Sequence, residues 1–256
     1  RMNLHHRKLL FFCHGIPGSP RDSELLSLPA DVDFVAPNLL ALNSRDPLGE
    51  AISQFDSAIA QAEGTAIELA GFSLGAMVAL RLAARWPGQI RRGHLGSPPA
   101  PPNPGDLFPA LARPPVFELA AARPLLFGVL TAMQGLASRI APRILMDRLF
   151  ADSSESEKKL LADAGFQAIL RSGLKNSYID HPAAYRAWLQ AYMGDWADEI
   201  DDIDCPVELW HGQQDSWAPV SMTHALASRL GTKATTHLVE SAGHYVALTE
   251  ARLRLV

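Results

Sequence analysis

Short apolar runs alternate with longer segments of helical periodicity along the chain. Several of the short runs are mostly apolar and stop at proline or glycine, which is typical of strands buried on both faces of a sheet. The six short runs together lie at residues 9–13, 33–36, 66–70, 93–96, 207–210 and 235–239. Apolar residues recur at helical spacing over 47–62 and 74–86. This alternation predicts the α/β class, with a mostly parallel central sheet and helices on both of its faces.

A long segment separates the fourth and fifth of these predicted strands. A crossover between parallel strands needs only about a dozen residues or somewhat more. Helical apolar spacing occurs within the segment at 114–123, 125–140, 144–149, 154–171 and 182–196. We therefore predict a core formed by residues 1–96 and 206–256, with residues 97–205 as a helical insertion over one end of the sheet. A second independent domain is the alternative.

Composition and charge exclude several classes of protein. Apolar residues make up 48% and charged residues 20% of the 256-residue chain, which is ordinary for a globular protein. The net charge of −4 gives no electrostatic reason to expect nucleic acid or an anionic membrane as a partner. The apolar run at 9–13 is too short for a signal sequence or a membrane span.

The cysteine and metal-ligand patterns are equally restrictive. Cys13 and Cys205 are the only cysteines, so a disulfide framework is excluded and a reducing, cytoplasmic location is predicted. No metal-ligand spacing and no phosphate-binding glycine loop occurs, so we predict neither a metal nor another cofactor. The sequence indicates no particular oligomeric state.

Gly71-Phe72-Ser73-Leu74-Gly75 matches the nucleophile-elbow pattern, in which a serine lies on a sharp turn between a strand and a helix. The turn brings the backbone on either side of the serine into close contact, so the positions two before and two after it tolerate a Cβ poorly. A predicted strand ends just before the motif, and a predicted helix begins at Leu74. The alternative is a glycine-rich turn whose serine only caps the helix.

A neutral serine hydroxyl needs a base within hydrogen-bonding distance before it can act as a nucleophile. His244 follows the last predicted strand in a loop of small residues, where an imidazole can reach over the edge of the sheet. Asp215 follows the fifth predicted strand, and its carboxylate would accept the imidazole N–H and fix the tautomer. The alternative for Asp215 is that it caps the next helix. The chain order Ser73, Asp215, His244 is the order that accompanies a nucleophile elbow.

Acyl transfer also needs hydrogen-bond donors where negative charge develops on the carbonyl oxygen. We predict the backbone N–H groups of Leu74 and Ile16 as these donors, because Ile16 lies in the glycine-rich turn 14–18 after the first predicted strand. A plain Gly-Pro turn is the alternative. His14 is expected to brace this turn. The candidates for contact with the substrate are His14, Gly15, Phe72 and Trp217.

With these motifs in this order, the chain resembles the capped α/β-hydrolase superfamily, and its serine esterases in particular. The resemblance covers residues 9–96 and 207–248, and the middle is similar only in a general way. We expect the strands that usually precede Leu9 in that family to be shortened or absent in the given sequence, through truncation or a reduced sheet edge. The resemblance implies a Ser-His-Asp triad at the positions already named.

The resemblance also implies a serine hydrolase that cleaves a small to medium apolar ester through an acyl-enzyme. Serine at the elbow argues against haloalkane dehalogenases and epoxide hydrolases, which carry a carboxylate there. A thioesterase, a C–C bond hydrolase or lyase, and a non-catalytic small-molecule sensor are the alternatives. The apolar stretches 124–130 and 144–146 of the insertion fit either helix packing or an acyl pocket.

Overall fold

One six-stranded parallel sheet organises the chain in the computed structural model, which describes residues 8–28, 32–62, 65–102 and 115–251. The strand order is β2-β1-β3-β4-β5-β6, and every neighbouring pair is parallel. The predicted α/β class is confirmed. The strands are β1 (Lys8–Cys13), β2 (Val32–Val35), β3 (Ala66–Phe72), β4 (Ile90–Gly96), β5 (Val207–Gly212) and β6 (Ala234–Val239).

Helices connect the strands and fill the long predicted insertion. They are α1 (Pro47–Ala62), α2 (Leu74–Arg85), α3 (Pro115–Ala122), α4 (Pro124–Ile140), α5 (Pro142–Leu149), α6 (Glu155–Leu161), α7 (Ala164–Lys175), α8 (Pro182–Tyr192), α9 (Ser221–Leu230) and α10 (His244–Glu250). Short 3₁₀ turns occur at Pro20–Leu25, Asp198–Asp202 and Gly231–Lys233, and a π-helical turn at Asn176–Asp180.

The sheet is buried at its centre and open at its edges. β1 is buried from Leu9 to Cys13, as its continuous apolar sequence predicts, whereas β6 at one edge consists of exposed and half-buried residues. Phe55 of α1 packs edge-on against Phe11 of β1, with ring centroids 5.0 Å apart. This aromatic contact anchors α1 against the middle of the sheet.

The register of the sheet brings the ends of its strands to one edge. Cys13 pairs with Gly71 and Phe72 pairs with Gly96, while Gly212 pairs with Val239. The loops that follow β1, β3, β5 and β6 therefore start beside one another. In open parallel sheets, ligands bind outside these carboxyl ends.

The structure corrects two of the predicted element boundaries. The predicted helix at 154–171 is two helices, because Asp163 caps a new helix by accepting a hydrogen bond of 2.8 Å from the backbone N–H of Phe166. The residues 93–96, predicted as the tail of the fourth strand, end β4, which begins at Ile90 and whose Arg92 pairs with Glu208 of the neighbouring strand at 3.0 Å. The helix predicted at 182–196 ends at Tyr192.

Residues 97–205, called the insertion from here on, connect β4 to β5. Their described part contains α3 to α8, and α4 contacts α3, α5, α7 and α8. The start of the helix predicted at 114–123 lies outside the described residues. The insertion also contacts the rest of the chain, since α7 packs against the 3₁₀ turn that follows β1. Across the described ranges, no helix combines the length and apolar character needed to cross a membrane.

Candidate active site

Ser73 lies on a strained turn between β3 and α2. Its φ is 53°, a value that residues with a Cβ rarely adopt. A Cβ on Gly71 would lie 2.6 Å from the Cα of Ala76, and one on Gly75 would overlap the carbonyl oxygen of His14. The turn therefore requires both glycines of the motif. The Ser73 side chain makes no capping hydrogen bond to α2, so the alternative of a simple helix cap is not what the structure shows.

His244 is the first residue of α10 and is held from several sides. Its Nδ1 lies 2.7 Å from Oδ2 of Asp215, and its carbonyl oxygen accepts a hydrogen bond of 2.9 Å from the Ser97 hydroxyl. Its ring stacks on Trp217, with centroids 5.3 Å apart and planes inclined by 25°. His244 and Ser73 line the same cavity. An ionised carboxylate beside Nδ1 places the imidazole proton there and leaves Nε2 as an acceptor.

The two carboxylate oxygens of Asp215 have separate partners. Oδ1 accepts hydrogen bonds from the backbone N–H groups of Trp217 and Ala218 at 2.8 and 2.9 Å. Oδ2 lies 2.7 Å from Nδ1 of His244 and 3.2 Å from Nε2 of His211. Burial raises the pKa of Asp215, but the charge of His244 and the hydrogen bonds from both histidines lower it further, so the pKa lies below its usual range. The carboxylate is therefore ionised at neutral pH. Oδ1 braces the loop that carries Asp215, and Oδ2 remains available to His244.

The turn after β1 is fixed by a buried histidine. Nδ1 of His14 donates to the carbonyl oxygen of Gly15 at 2.7 Å, and Nε2 accepts from the backbone N–H of Leu39 at 2.9 Å. Burial lowers the pKa of His14 to about 4, more than hydrogen bonds with the backbone of Gly15 and the side chain of Asn38 raise it. His14 is thus neutral at physiological pH, and its contacts match the bracing role expected for it.

A cavity of about 320 Å³ lies between the strand ends and the insertion. Apolar and aromatic side chains dominate its lining, and the amide of Gln134, 3.4 Å from the Tyr178 hydroxyl, is one of its few polar groups. Burial raises the pKa of Tyr178 to about 12, so this phenol is neutral. The insertion contributes most of the lining through Pro99, Val116, Phe117, Leu130, Gln134, Leu149, Tyr178, Tyr185, Leu189 and Tyr192.

The structure brings most of the predicted site residues to this cavity. Its lining includes Ile16, Ser73, Leu74, Trp217 and His244, and Asp215 lies directly behind the imidazole. Three predicted substrate contacts are instead buried and stand outside the lining: His14, Gly15 and Phe72. They support the cavity from behind, because the Phe72 ring lies 5.0 Å from the His244 ring and a Cβ on Gly15 would lie 2.9 Å from the Phe72 ring.

Comparison with known sequences decides the family. The profile of the alpha/beta hydrolase family matches residues 10–256, which is nearly the whole chain. The chain belongs to the alpha/beta hydrolase family. The predicted resemblance is thereby confirmed.

This hydrolase is similar to one curated sequence relative and, in fold, to several solved structures. The pimeloyl-[acyl-carrier protein] methyl ester esterase of Aromatoleum aromaticum is 28% identical over 234 residues, which cover 88% of this chain and 86% of the relative. An esterase from Thermogutta terrifontis has a similar fold, with a TM-score of 0.66 at 15% identity, over 95% of this chain and 85% of that one. The enol-lactonase from Burkholderia xenovorans gives a TM-score of 0.65 at 14% identity, over 95% and 86% of the two chains.

The cavity lining from the insertion of this hydrolase was less well predicted than the rest of the site. Of the apolar stretches 124–130 and 144–146, only Leu130 lines the cavity; Phe127 and Met146 are buried in the core, and Leu125 is 88% exposed. The tyrosines of the cavity were missed. They recur at intervals of seven, at positions 178, 185 and 192, and this spacing was the available signal.

Asp22 is a second residue that sequence reasoning missed. Its buried carboxyl group accepts a hydrogen bond of 3.0 Å from the backbone N–H of Gly15, next to the predicted donor Ile16. Burial raises the pKa of Asp22 to about 8, more than hydrogen bonds from the backbone of Gly15 and Ser19 lower it. A single aspartate in a loop carries no pattern, so no sequence signal could have identified it.

Asp22→Asn is expected to remove a pH dependence of stability from this hydrolase. In the wild type, folded Asp22 keeps its proton up to about pH 8 while the unfolded chain loses it near its usual value, so the free energy of unfolding falls as pH rises between these limits. The asparagine keeps an acceptor for the Gly15 N–H but has no proton to lose. The stability of Asp22→Asn relative to wild type should therefore rise by about 1.4 kcal/mol for each pH unit between pH 5 and 7.

Urea unfolding at pH 5, 6 and 7 measures this difference, with the exposed Asp202→Asn as the matched control. Parallel pH profiles for the wild type and Asp22→Asn would show that Asp22 is already ionised in the folded protein.

Proposed function

We propose that this hydrolase is a serine esterase that cleaves a small to medium carboxylic ester through an acyl-enzyme. Ser73 acts as the nucleophile, His244 as the base and Asp215 as the acid that orients it. The observation that carries the proposal is the 2.7 Å hydrogen bond between Asp215 and His244. The imidazole of His244 lines the same cavity as Ser73. The esterase relative from Aromatoleum aromaticum supports the same reaction class.

The proposed reaction begins with attack of Ser73 Oγ on the ester carbonyl carbon. Nε2 of His244 takes the hydroxyl proton, because Asp215 keeps the other imidazole proton on Nδ1. A C–O bond forms, and the carbonyl electron pair moves to the oxygen. When the tetrahedral intermediate collapses, the alcohol leaves with the proton from Nε2, and Ser73 is acylated.

Deacylation repeats these steps with water as the nucleophile. Nε2 of His244 takes a proton from water, the acyl carbon is attacked, and the carboxylic acid leaves as Ser73 regains its hydroxyl. The imidazolium that forms in each half-reaction is stabilised by the charge of Asp215 and by the stacked face of Trp217.

Two backbone N–H groups are proposed to form the oxyanion hole. Leu74 begins α2, and the first N–H groups of a helix have no partner within the helix. Ile16 belongs to the turn braced by His14 and Asp22, and both Ile16 and Leu74 line the cavity beside Ser73. Each donor of this kind stabilises the transition state by about 3 kcal/mol.

The volume and lining of the cavity support a substrate with an apolar acyl group of short to medium length. Its volume of about 320 Å³ lies near the lower end of the usual range for small-molecule sites. The insertion supplies most of the apolar lining, whereas residues 1–96 and 206–256 supply the proposed triad. We therefore interpret residues 97–205 as a cap over a hydrolase core. The cytoplasmic location stays a prediction from the cysteines, both of which are buried and unpaired in the structure.

Hydrolysis of p-nitrophenyl esters, from acetate through decanoate, tests the proposal together with labelling by a fluorophosphonate. We expect turnover with an optimum at a short or medium acyl chain, and one label that mass spectrometry locates on Ser73. Labelling without turnover of any ester would retain the nucleophile and move the substrate to another class, such as a thioester. Reversible ligand binding with neither turnover nor labelling would contradict an enzyme and support a sensor.

A further inference from the structure

The insertion contacts the loop that carries His244 through the first turn of α6. Oε1 of Glu157 accepts a hydrogen bond of 2.7 Å from the backbone N–H of Val246. The hydroxyl of Ser156 donates to the carbonyl oxygen of Ser241 at 2.6 Å. These contacts lie on either side of His244 in the chain. A helix of the insertion thus holds the segment that carries the proposed base.

The contact is too close for any side chain at position 243. A Cβ on Gly243 would lie 2.9 Å from the carboxyl carbon of Glu157 and 3.0 Å from its Oε1. The bare backbone just before His244 therefore lets the carboxylate approach. On the other side of the contact, Ser241 has a φ of 58°, which is uncommon for a residue with a Cβ.

Helix capping alone does not explain this carboxylate. Glu157 is only 1% exposed, and its Oε2 has no hydrogen-bond partner within the part of the chain that the structure describes. A buried polar atom without a partner is destabilising, and a serine or threonine would supply an acceptor for the Val246 N–H without burying a second oxygen. The second oxygen of Glu157 therefore calls for another reason.

The proposed triad supplies that reason. Burial raises the pKa of Glu157 above its usual range, and hydrogen bonds from the backbone of Val246 and Tyr245 together with the positive charge of His244 act in the opposite direction. The negative charge of Asp215 raises the pKa of Glu157 further. An imidazolium at His244 therefore stabilises a negative charge on Glu157.

We propose that Glu157 is a positioning residue for the base, which sets the place of His244 through the start of α10 and adds negative charge beside the imidazolium. This inference rests on the proposed esterase function, because the base matters only where Ser73 is the nucleophile. The ionisable groups that face the contact are His244 and Asp215 of the proposed triad and the buried Tyr245. Asp22 also acts on Tyr245 from the turn after β1.

Two substitutions separate the position of His244 from the charge beside it. Glu157→Ala removes the acceptor for Val246, and a small displacement of a catalytic group can reduce turnover about 10²-fold. We expect kcat to fall by about this factor with KM within about twofold. Glu157→Gln keeps the shape and one acceptor, so most of kcat should return. It removes the negative charge, so the acid limb of the pH–rate profile should move to lower pH by about half a unit or more.

Glu155→Gln is the matched control, because Glu155 lies on the same helix with its side chain 84% exposed. Steady-state ester hydrolysis and the rate of fluorophosphonate labelling are both measured across pH, and thermal melting is followed in parallel. Lower melting temperatures with an unchanged kcat and acid limb would reduce Glu157 to a structural contact and overturn the inference. If Glu157→Ala is too unstable to assay, Glu157→Gln alone tests the inference.

The inference and the proposed function fail in different ways. If Ser73→Ala abolishes turnover and labelling while both Glu157 variants match Glu155→Gln, only the positioning role is wrong. If Ser73→Ala keeps the wild-type turnover, the serine mechanism is wrong and the positioning role falls with it. The labelling rate does not depend on the choice of ester, so a wrong substrate guess does not obscure either result.

Discussion

Replacing Ser73 by alanine is expected to lower kcat for ester hydrolysis by about 10⁴- to 10⁶-fold, with KM changed only a few-fold. The substitution removes the atom that is proposed to form the acyl-enzyme, while the cavity lining, the imidazole and the elbow backbone remain. Alanine has the same Cβ as serine, so the strained φ of 53° is neither relieved nor worsened. The activity should therefore vanish without a matching loss of stability.

Initial rates on the best p-nitrophenyl ester measure this loss, with Ser57→Ala as the control on the exposed side of α1. The thermal melting point of Ser73→Ala should stay close to that of the wild type. Turnover within about tenfold of wild type would place the nucleophile elsewhere, because the residual rate of a triad-deleted enzyme is far lower.

Asp215→Asn is expected to reduce kcat/KM by about 10⁴-fold, and the structure explains why the amide cannot substitute for the carboxylate. Oδ1 accepts two backbone hydrogen bonds, from Trp217 and Ala218, so the carbonyl oxygen of the asparagine must take that place. Its NH₂ group then faces Nδ1 of His244 and Nε2 of His211. A donor toward Nδ1 moves the imidazole proton to Nε2, where His244 can no longer accept the proton of Ser73.

The pH–rate profile of Asp215→Asn tests this tautomer argument, and the exposed Asp202→Asn serves as its control. Fluorophosphonate labelling should slow to a similar extent, because it needs the same base. An Asp215→Asn enzyme that keeps a tenth or more of the wild-type rate would show that another carboxylate orients His244.

The sequence was informative wherever local chemistry and local structure coincide. Gly71 and Gly75 are required by contacts of the elbow itself, so the motif predicts the turn without knowledge of the rest of the fold. The continuous apolar run of β1 and the helical spacing of α1 also report burial directly, and both elements lie where the pattern predicts them. Asp215 and His244 follow strands of a parallel sheet, whose carboxyl ends meet at one edge.

The remaining features depend on contacts between distant parts of the chain. Ser154 and Glu157 have the spacing of a capping box, which indicates the start of a helix. The same spacing does not indicate that Oε1 of Glu157 reaches Val246. Apolar spacing continues from α6 into α7, so only Asp163 marked the break between them. The cavity depends on how the insertion helices pack, and no local pattern encodes that packing.

The position of the insertion in the chain also has a consequence for the folding kinetics. β4 and β5 pair directly although residues 97–206 separate them. Pairings between residues so distant in sequence form slowly, because chain entropy is lost before the contact stabilises the fold. Ser73 precedes the insertion, whereas Asp215 and His244 follow it. The three groups meet only when the sheet closes across the insertion, so recovery of activity during refolding reports one of the late steps in the assembly of the native chain.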